Sequence, residues 1–107
     1  MIELTTEAAW HDLYEQSKDK TVLVFKHSTQ CPVSSDAHKQ FLAFVEENPD
    51  FVYGWVKVIE SRPVSNLIAE ELETVHKSPQ LFVLKDKKVA WTTSHWDITK
   101  EAIAKNV

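Results

Sequence analysis

The run Thr21-Val22-Leu23-Val24-Phe25 limits the possible folds more than any other part of the sequence. It is apolar after its first residue and rich in β-branched side chains, which is typical of a central strand buried on both faces of a sheet. On either side of it, apolar residues recur every three to four positions, which is the period of a helix. A buried strand between amphipathic helices predicts an α/β fold.

The rest of the chain alternates between helical and strand periodicity. Helices are predicted at four places: after a cap at Thr5 or Thr6 to about Lys18, after Cys31 to about Asn48, from Ser61 onward, and from Asp97 or Thr99 onward. Three further strands are predicted at residues 51–59, 80–84 and 89–93, the last two joined by a tight turn at residues 86–88. The third helix is predicted to bury a stripe made of Val64, Leu67, Ile68, Leu72 and Val75.

This order, α-β-α-β-α-β-β-α, predicts a βαβ half followed by a ββα half. A right-handed crossover in the first half and an antiparallel hairpin in the second give a four-stranded mixed sheet flanked by about four helices. That is the thioredoxin-like arrangement. A chain of 107 residues buries roughly 60–70% of its unfolded surface, so one domain over residues 1–107 is expected.

The composition excludes several classes of function. A net charge of −4 and a pI near 5.7 argue against nucleic acid or an anionic membrane as the main partner. The single glycine, Gly54, excludes a glycine-rich phosphate loop. No signal peptide is expected, and the longest apolar run is far too short to span a bilayer. One cysteine cannot form an internal disulfide, so we expect a free thiol in the reducing cytoplasm.

Cys31 is the candidate nucleophile, because it falls between a predicted buried strand and a helix N-terminus. Pro32 follows at a position where its missing N–H costs nothing. The free N–H groups of Val33 and Ser34, together with the positive end of the helix dipole, favour a thiolate there. The alternative is a small buried hydrophobic residue, the commoner role of a lone cysteine.

Ser34 lies three residues after Cys31, at the place where a two-cysteine redox motif has its second thiol. A hydroxyl can donate a hydrogen bond to a thiolate but cannot close a disulfide. The pattern therefore predicts monothiol exchange: Cys31 attacks a sulfur, becomes a mixed disulfide and waits for an external thiol.

A second signal lies in the segment "HKSPQ", where Pro79 opens the third predicted strand. In a thioredoxin-like fold the proline at this place is cis and lies against the reactive cysteine. Its ring donates no hydrogen bond, and the backbone of Ser78 is left free to pair with an extended substrate. The alternative is a trans proline that simply begins a strand.

Four segments, "KHSTQCPVS", "RPVSN", "HKSPQ" and "WTTSHWDIT", resemble the monothiol bacilliredoxins of bacillithiol-producing Gram-positive bacteria, also described as general stress proteins. The resemblance covers essentially the whole chain, in order, with Val33 where the family usually has isoleucine. It implies a thioredoxin-like fold and an attacking role for Cys31. It also implies that the substrates are proteins capped by bacillithiol, that bacillithiol or a dithiol reductase partner regenerates the thiol, and that no cofactor is bound.

Other polar residues are weaker candidates. His27 ends the first predicted strand and either stabilises the thiolate or has a surface or capping role. His76 is a candidate for the groove beside Ser78 and Pro79. Arg62 either meets a carboxylate of bacillithiol, which is anionic, or is a solvated residue at a helix start. Trp96 either forms a contact surface or covers the sheet edge.

No structural metal site is expected, because the histidines are scattered and only His27 lies near the cysteine in sequence. The five histidines are His11, His27, His38, His76 and His95. We expect a monomer. Two other functions stay open at this point: a glutaredoxin-like iron–sulfur carrier, against which Pro32 argues because such carriers usually have glycine there, and a non-catalytic stress-related binding protein.

Overall fold

The computed structural model describes all 107 residues. Five strands are present: β1 (Ile2–Glu3), β2 (Val22–His27), β3 (Val52–Lys57), β4 (Gln80–Lys85) and β5 (Lys88–Ser94). Four α-helices lie between and after them: α1 (Glu7–Gln16), α2 (Pro32–Glu47), α3 (Arg62–Glu71) and α4 (Lys100–Asn106). A short 3₁₀ helix (His95–Asp97) joins β5 to α4. None of these helices has the length and apolar character that a membrane crossing requires.

The strands form one mixed sheet in the order β1-β3-β2-β4-β5. β2 pairs parallel with β3 and antiparallel with β4, while β5 pairs antiparallel with β4. The α/β thioredoxin-like class is confirmed, but the predicted count of four strands is wrong. The extra strand, β1, adds to β3 in parallel with only two residues, too few to carry a periodic signal.

β2 is the centre of the molecule, and all six of its residues are buried. Because side chains alternate across a strand, Val22 and Val24 contribute to one apolar cluster and Leu23 and Phe25 to another. The first cluster includes residues of α1 and α3, and the second includes residues of α2 and α4. The prediction of a central strand covered on both faces is therefore confirmed.

Two helix starts follow their capping residues. Thr6 and Thr99 accept hydrogen bonds from the N–H groups three residues on, each over 3.1 Å, which satisfies donors that the first turn leaves free. The predictions of Thr5 and Asp97 as alternative caps are therefore set aside, since Asp97 belongs to the 3₁₀ helix. α1 also ends two residues before the predicted Lys18.

The predicted stripe of α3 is wrong at its last member. Val75 is 79% exposed, because the helix ends at Glu71 and the chain then turns. Glu73 has a positive φ of 50°, a left-handed conformation that ends helices. The residues after it form the connection to β4, which carries Ser78 and Pro79.

Candidate functional site

Cys31 is the N-cap of α2, with an extended backbone (φ −116°, ψ 123°) and Pro32 as the first helical residue. Its carbonyl accepts the first helical hydrogen bond, from the N–H of Ser35 over 3.1 Å. The thiol is free and partly exposed. The predicted strand–cysteine–proline–helix junction is confirmed, and the alternative of a buried packing residue does not fit a partly exposed cysteine.

The first turn of α2 points its dipole at Cys31 but does not bond it. The sulfur accepts no capping hydrogen bond, so the expected contacts from the N–H groups of Val33 and Ser34 are absent. Pro32 has no N–H to offer. What remains at the sulfur is the positive field of the helix N-terminus, which favours negative charge there.

Ser34 is completely buried, and its hydroxyl contacts residues other than Cys31. Its Oγ accepts a hydrogen bond from the backbone N–H of Ser28 over 2.8 Å and lies 2.8 Å from Nδ1 of His27. The hydrogen bond to the Cys31 thiolate that a hydroxyl here could make is not formed, and the hydroxyl instead links the turn before the cysteine to the first turn of α2. The absence of a second thiol at this position is unaffected.

His27 is also buried, at 8% exposure. Its ring lies 4.4 Å from the ring of His38 and 5.7 Å from that of Phe25, measured between centroids. Burial first, and the neighbouring His38 second, hold the pKa of His27 below its usual value. His27 is therefore neutral near pH 7 and supplies no positive charge to a thiolate, so its structural role is to bond Ser34.

Pro79 is brought to the site by the pairing of β2 with β4. Lys26 pairs with Gln80 in this antiparallel ladder, so the next position along sets Pro79 beside His27, at the end of β2 that leads to Cys31. The Ser78–Pro79 peptide bond is cis, as expected. The carbonyl of Pro79 accepts a hydrogen bond from the N–H of His95 over 3.0 Å.

A lone cysteine at a helix N-terminus and a cis proline beside the same strand end are features of thioredoxin-like redox sites. The family model described as "Monothiol bacilliredoxin BrxC" matches residues 2–103. The chain belongs to the monothiol bacilliredoxin family.

Solved structures agree with this assignment. The chain is similar to a candidate oxidoreductase with a thioredoxin fold, at 31% sequence identity and a TM-score of 0.89, over 98% of this chain and 91% of the other. It also matches Fasciola hepatica thioredoxin (21% identity, TM-score 0.81, all of both chains) and oxidized mitochondrial thioredoxin 3 of Saccharomyces cerevisiae (20%, 0.76, 98% and 91%). These last two establish the fold alone. The family and the first neighbour identify the bacilliredoxin as a thiol-disulfide oxidoreductase.

The sequence analysis missed one polar residue of this region, Lys26. It is fully buried, and its Nζ lies 3.0 Å from both the backbone oxygen of Ser65 and Nδ1 of His76. Burial lowers its pKa to about 8. Lys26 lies between the apolar run and His27, which ends the predicted strand, but no sequence pattern indicated that its side chain would be buried.

Arg62 and His76 lie on the same side of the site as Lys26. His76 contacts Lys26 and is partly buried, with its pKa lowered mainly by burial and further by the charges of Lys26 and Arg62. Arg62, the first residue of α3, is exposed, and none of the ion pairs of the structure includes it.

The surface around Cys31 is open. No cavity of the structure has Cys31 in its lining, whereas sites for small ligands usually enclose most of the ligand. Trp96, next to the residue that bonds Pro79, is 65% exposed and adds apolar surface there. No group of three or more histidine, cysteine, aspartate or glutamate side chains is placed to hold a metal ion.

Proposed function

We propose that this bacilliredoxin is a monothiol oxidoreductase that removes bacillithiol from protein mixed disulfides, with Cys31 as its nucleophile. The observation that carries the proposal is the single, partly exposed cysteine at the N-cap of α2, with a buried hydroxyl, Ser34, where a resolving thiol would stand. The open surface around Cys31 supports a protein as the substrate, because it leaves room for a second folded chain.

In the first step the Cys31 thiolate attacks the bacillithiol sulfur of a protein–bacillithiol disulfide. A new disulfide forms between Cys31 and bacillithiol, and the bond to the substrate protein breaks. The protein sulfur leaves as a thiolate and takes a proton from water. The positive field at the N-terminus of α2 stabilises negative charge on the attacking sulfur.

In the second step an external thiol restores Cys31. A thiolate of free bacillithiol attacks the bacillithiol sulfur held on Cys31, which releases bacillithiol disulfide and the Cys31 thiolate. A dithiol reductase partner could do the same and end as its own disulfide. Bacillithiol is thus a co-substrate, and no bound cofactor takes part in either step.

Substrate contacts are proposed at the connection before β4 and at the start of α3. The backbone of Ser78, beside Pro79, pairs with the extended substrate chain. Arg62 is available for a carboxylate of bacillithiol, because it is exposed and has no acidic partner. His76 has only its Nε2 left for a substrate, since Nδ1 contacts Lys26. Pro32 and His27 support the site indirectly. Pro32 begins α2, and His27 contacts the hydroxyl of Ser34.

We further propose that the protein acts as a monomer in the cytoplasm, on bacillithiolated proteins as its partners. A monothiol cycle needs a reduced pool of small thiol to complete each turnover, and free cysteines persist in reducing compartments.

Turnover on matched substrates tests the proposal. The same protein thiol is capped with bacillithiol in one preparation and with glutathione in another. Removal of the cap, which frees the protein thiol, is then followed in the presence of excess free bacillithiol. We expect the bacillithiol-capped substrate to be released at least tenfold faster, and Cys31→Ala to release neither above the uncatalysed rate. Equal rates on both substrates would contradict the bacillithiol preference, and activity in Cys31→Ala would contradict the nucleophile.

A further inference from the structure

Lys26 is a buried cation without a carboxylate partner. Its side chain is fully buried in β2, and it belongs to no ion pair of the structure. Taking an ammonium group out of water costs several kcal/mol unless hydrogen bonds replace its hydration. An apolar residue would fill the same strand position without that cost, so the lysine calls for a functional explanation.

The contacts of Lys26 join three separate elements. Its Nζ donates to the backbone oxygen of Ser65 in α3 and to Nδ1 of His76, each over 3.0 Å. Nζ also lies over the ring of Phe82, 6.0 Å from its centroid. Ser65 Oγ is 3.4 Å from the same His76 nitrogen. One buried amine therefore ties β2 to α3 and to the connection that leads into β4.

This contact fixes the state of the His76 ring. A lysine ammonium has only donors, so Nδ1 of His76 must accept and the ring proton must lie on Nε2. The charged groups that act on His76 are Lys26 from β2 and Arg62 from α3, and both oppose a second proton. His76 is thus held neutral, as one tautomer.

The same connection is braced from the neighbouring strand. Gln80 accepts a hydrogen bond from the N–H of Lys77 and donates one to the oxygen of Val75, each over 3.2 Å. Lys26 and Gln80 are partners in the β2–β4 ladder. A pair of opposed side chains on adjacent strands therefore holds both the start and the middle of the segment that ends in Pro79.

We propose that Lys26 is a positioning residue, which acts through Nδ1 of His76 to hold the segment His76–Pro79 in the conformation that receives the substrate backbone. The link between Lys26 and His76 stands on the contacts alone. The effect of Lys26 on substrate binding rests on the proposed function, because that effect requires the segment His76–Pro79 to contact the substrate.

The first test measures the His76 ring by nitrogen-15 NMR in the wild type and in Lys26→Met. We expect the wild-type ring to be neutral at pH 7 with its proton on Nε2. In the variant we expect a mixture of tautomers and a higher pKa for His76. Lys85→Met, at an exposed lysine of β4, is the control and should match the wild type. A wild-type ring with its proton on Nδ1, or no change in Lys26→Met, would overturn the proposal.

The second test separates positioning from direct contact. Asparagine can place an oxygen where Nδ1 of His76 lies, so His76→Asn keeps the acceptor for Lys26, whereas His76→Leu removes it. We expect Lys26→Met and His76→Leu to raise KM about tenfold with kcat within twofold, His76→Asn to raise KM less than His76→Leu does, and Lys85→Met to stay near the wild type. Equal losses in His76→Asn and His76→Leu would overturn the proposal, because they would assign the effect to Nε2.

The failures of the two proposals are distinguishable. Kinetics are run with the bacillithiol-capped and the glutathione-capped forms of one protein, so the effect of Lys26 is read on whichever form is released. Circular dichroism and thermal unfolding show that each variant is folded. If the wild type releases both caps equally fast, only the proposed preference for bacillithiol is rejected. An active wild type with an unchanged KM in folded Lys26→Met would reject the role of Lys26 alone.

Discussion

Ser34 determines the predicted type of chemistry, but its contacts could not be predicted from the sequence. Its place after Cys31 predicts monothiol chemistry because a hydroxyl cannot form a disulfide. Its partners could not be predicted, because the N–H of Ser28 and the ring of His27 meet it only once the turn before α2 has formed. A hydroxyl that could have bonded the thiolate instead supports the backbone that carries Cys31.

The buried ammonium group of Lys26 lowers the stability of the fold, unlike the apolar side chains that precede it in β2. Burial lowers the pKa of Lys26 to about 8, from an ordinary value of 10.5. Between these two pH values the unfolded chain holds the proton and the folded chain does not, so stability rises as pH increases through that range. Below pH 8 the full penalty is present.

We therefore predict a pH-dependent difference between the wild type and Lys26→Met. From pH 7 to pH 10 the free energy of unfolding of the wild type should rise by about 2 kcal/mol relative to the variant, because only the wild type has the buried amine. Urea denaturation at several pH values measures this difference. Parallel pH profiles for the two proteins would show that burial does not perturb the lysine.

At the scale of elements, periodicity located every helix and strand longer than three residues. Apolar runs and capping threonines are local signals, and the buried environment of β2 agreed with them. β1 and the 3₁₀ helix were missed because they are too short to show a period. Val75 was misplaced because its spacing continues the stripe of α3 although the backbone turns at Glu73, and one left-handed residue leaves no mark in an apolar pattern.

Gly54 of β3 packs directly against Leu13 of α1 and against Leu4, which follows β1. A Cβ there would lie 2.4 Å from Cδ2 of Leu13 and 3.4 Å from Cδ1 of Leu4, and the first distance is far inside van der Waals contact. The neighbours are ends of side chains, so they can shift, but only within a filled core.

We predict that Gly54→Ala lowers the free energy of unfolding by about 1–3 kcal/mol, because it overpacks this contact. Chemical denaturation measures the change. Ala90→Val, at an exposed position of β5, is the control and should stay within about 0.5 kcal/mol of the wild type. A Gly54→Ala protein as stable as the wild type would mean that Leu13 moves aside without loss.

At the scale of the whole molecule, the site is a product of topology. Cys31 follows β2 and Pro79 precedes β4, and the ladder between these strands joins residues more than 50 positions apart. The fold class could be predicted because each helix and strand has a local periodic pattern and their order along the chain is known. The cysteine junction could be predicted because it lies within one short segment. The arrangement of Lys26, Ser65 and His76 could not, because it depends on the exact register of β2 against β4 and on how α3 packs over them.

The central claim is that Cys31 is the sole thiol of a cycle that an external thiol completes. Intact-mass measurement of a single turnover tests it most directly. Enzyme and bacillithiol-capped protein are mixed in equal amounts without free thiol, and bacillithiol is added afterwards. We predict that the enzyme gains one bacillithiol as the substrate loses one, that the adduct persists until free thiol is added, and that Cys31→Ala gains none. A substrate that loses its cap while the wild-type enzyme keeps its original mass would contradict the account.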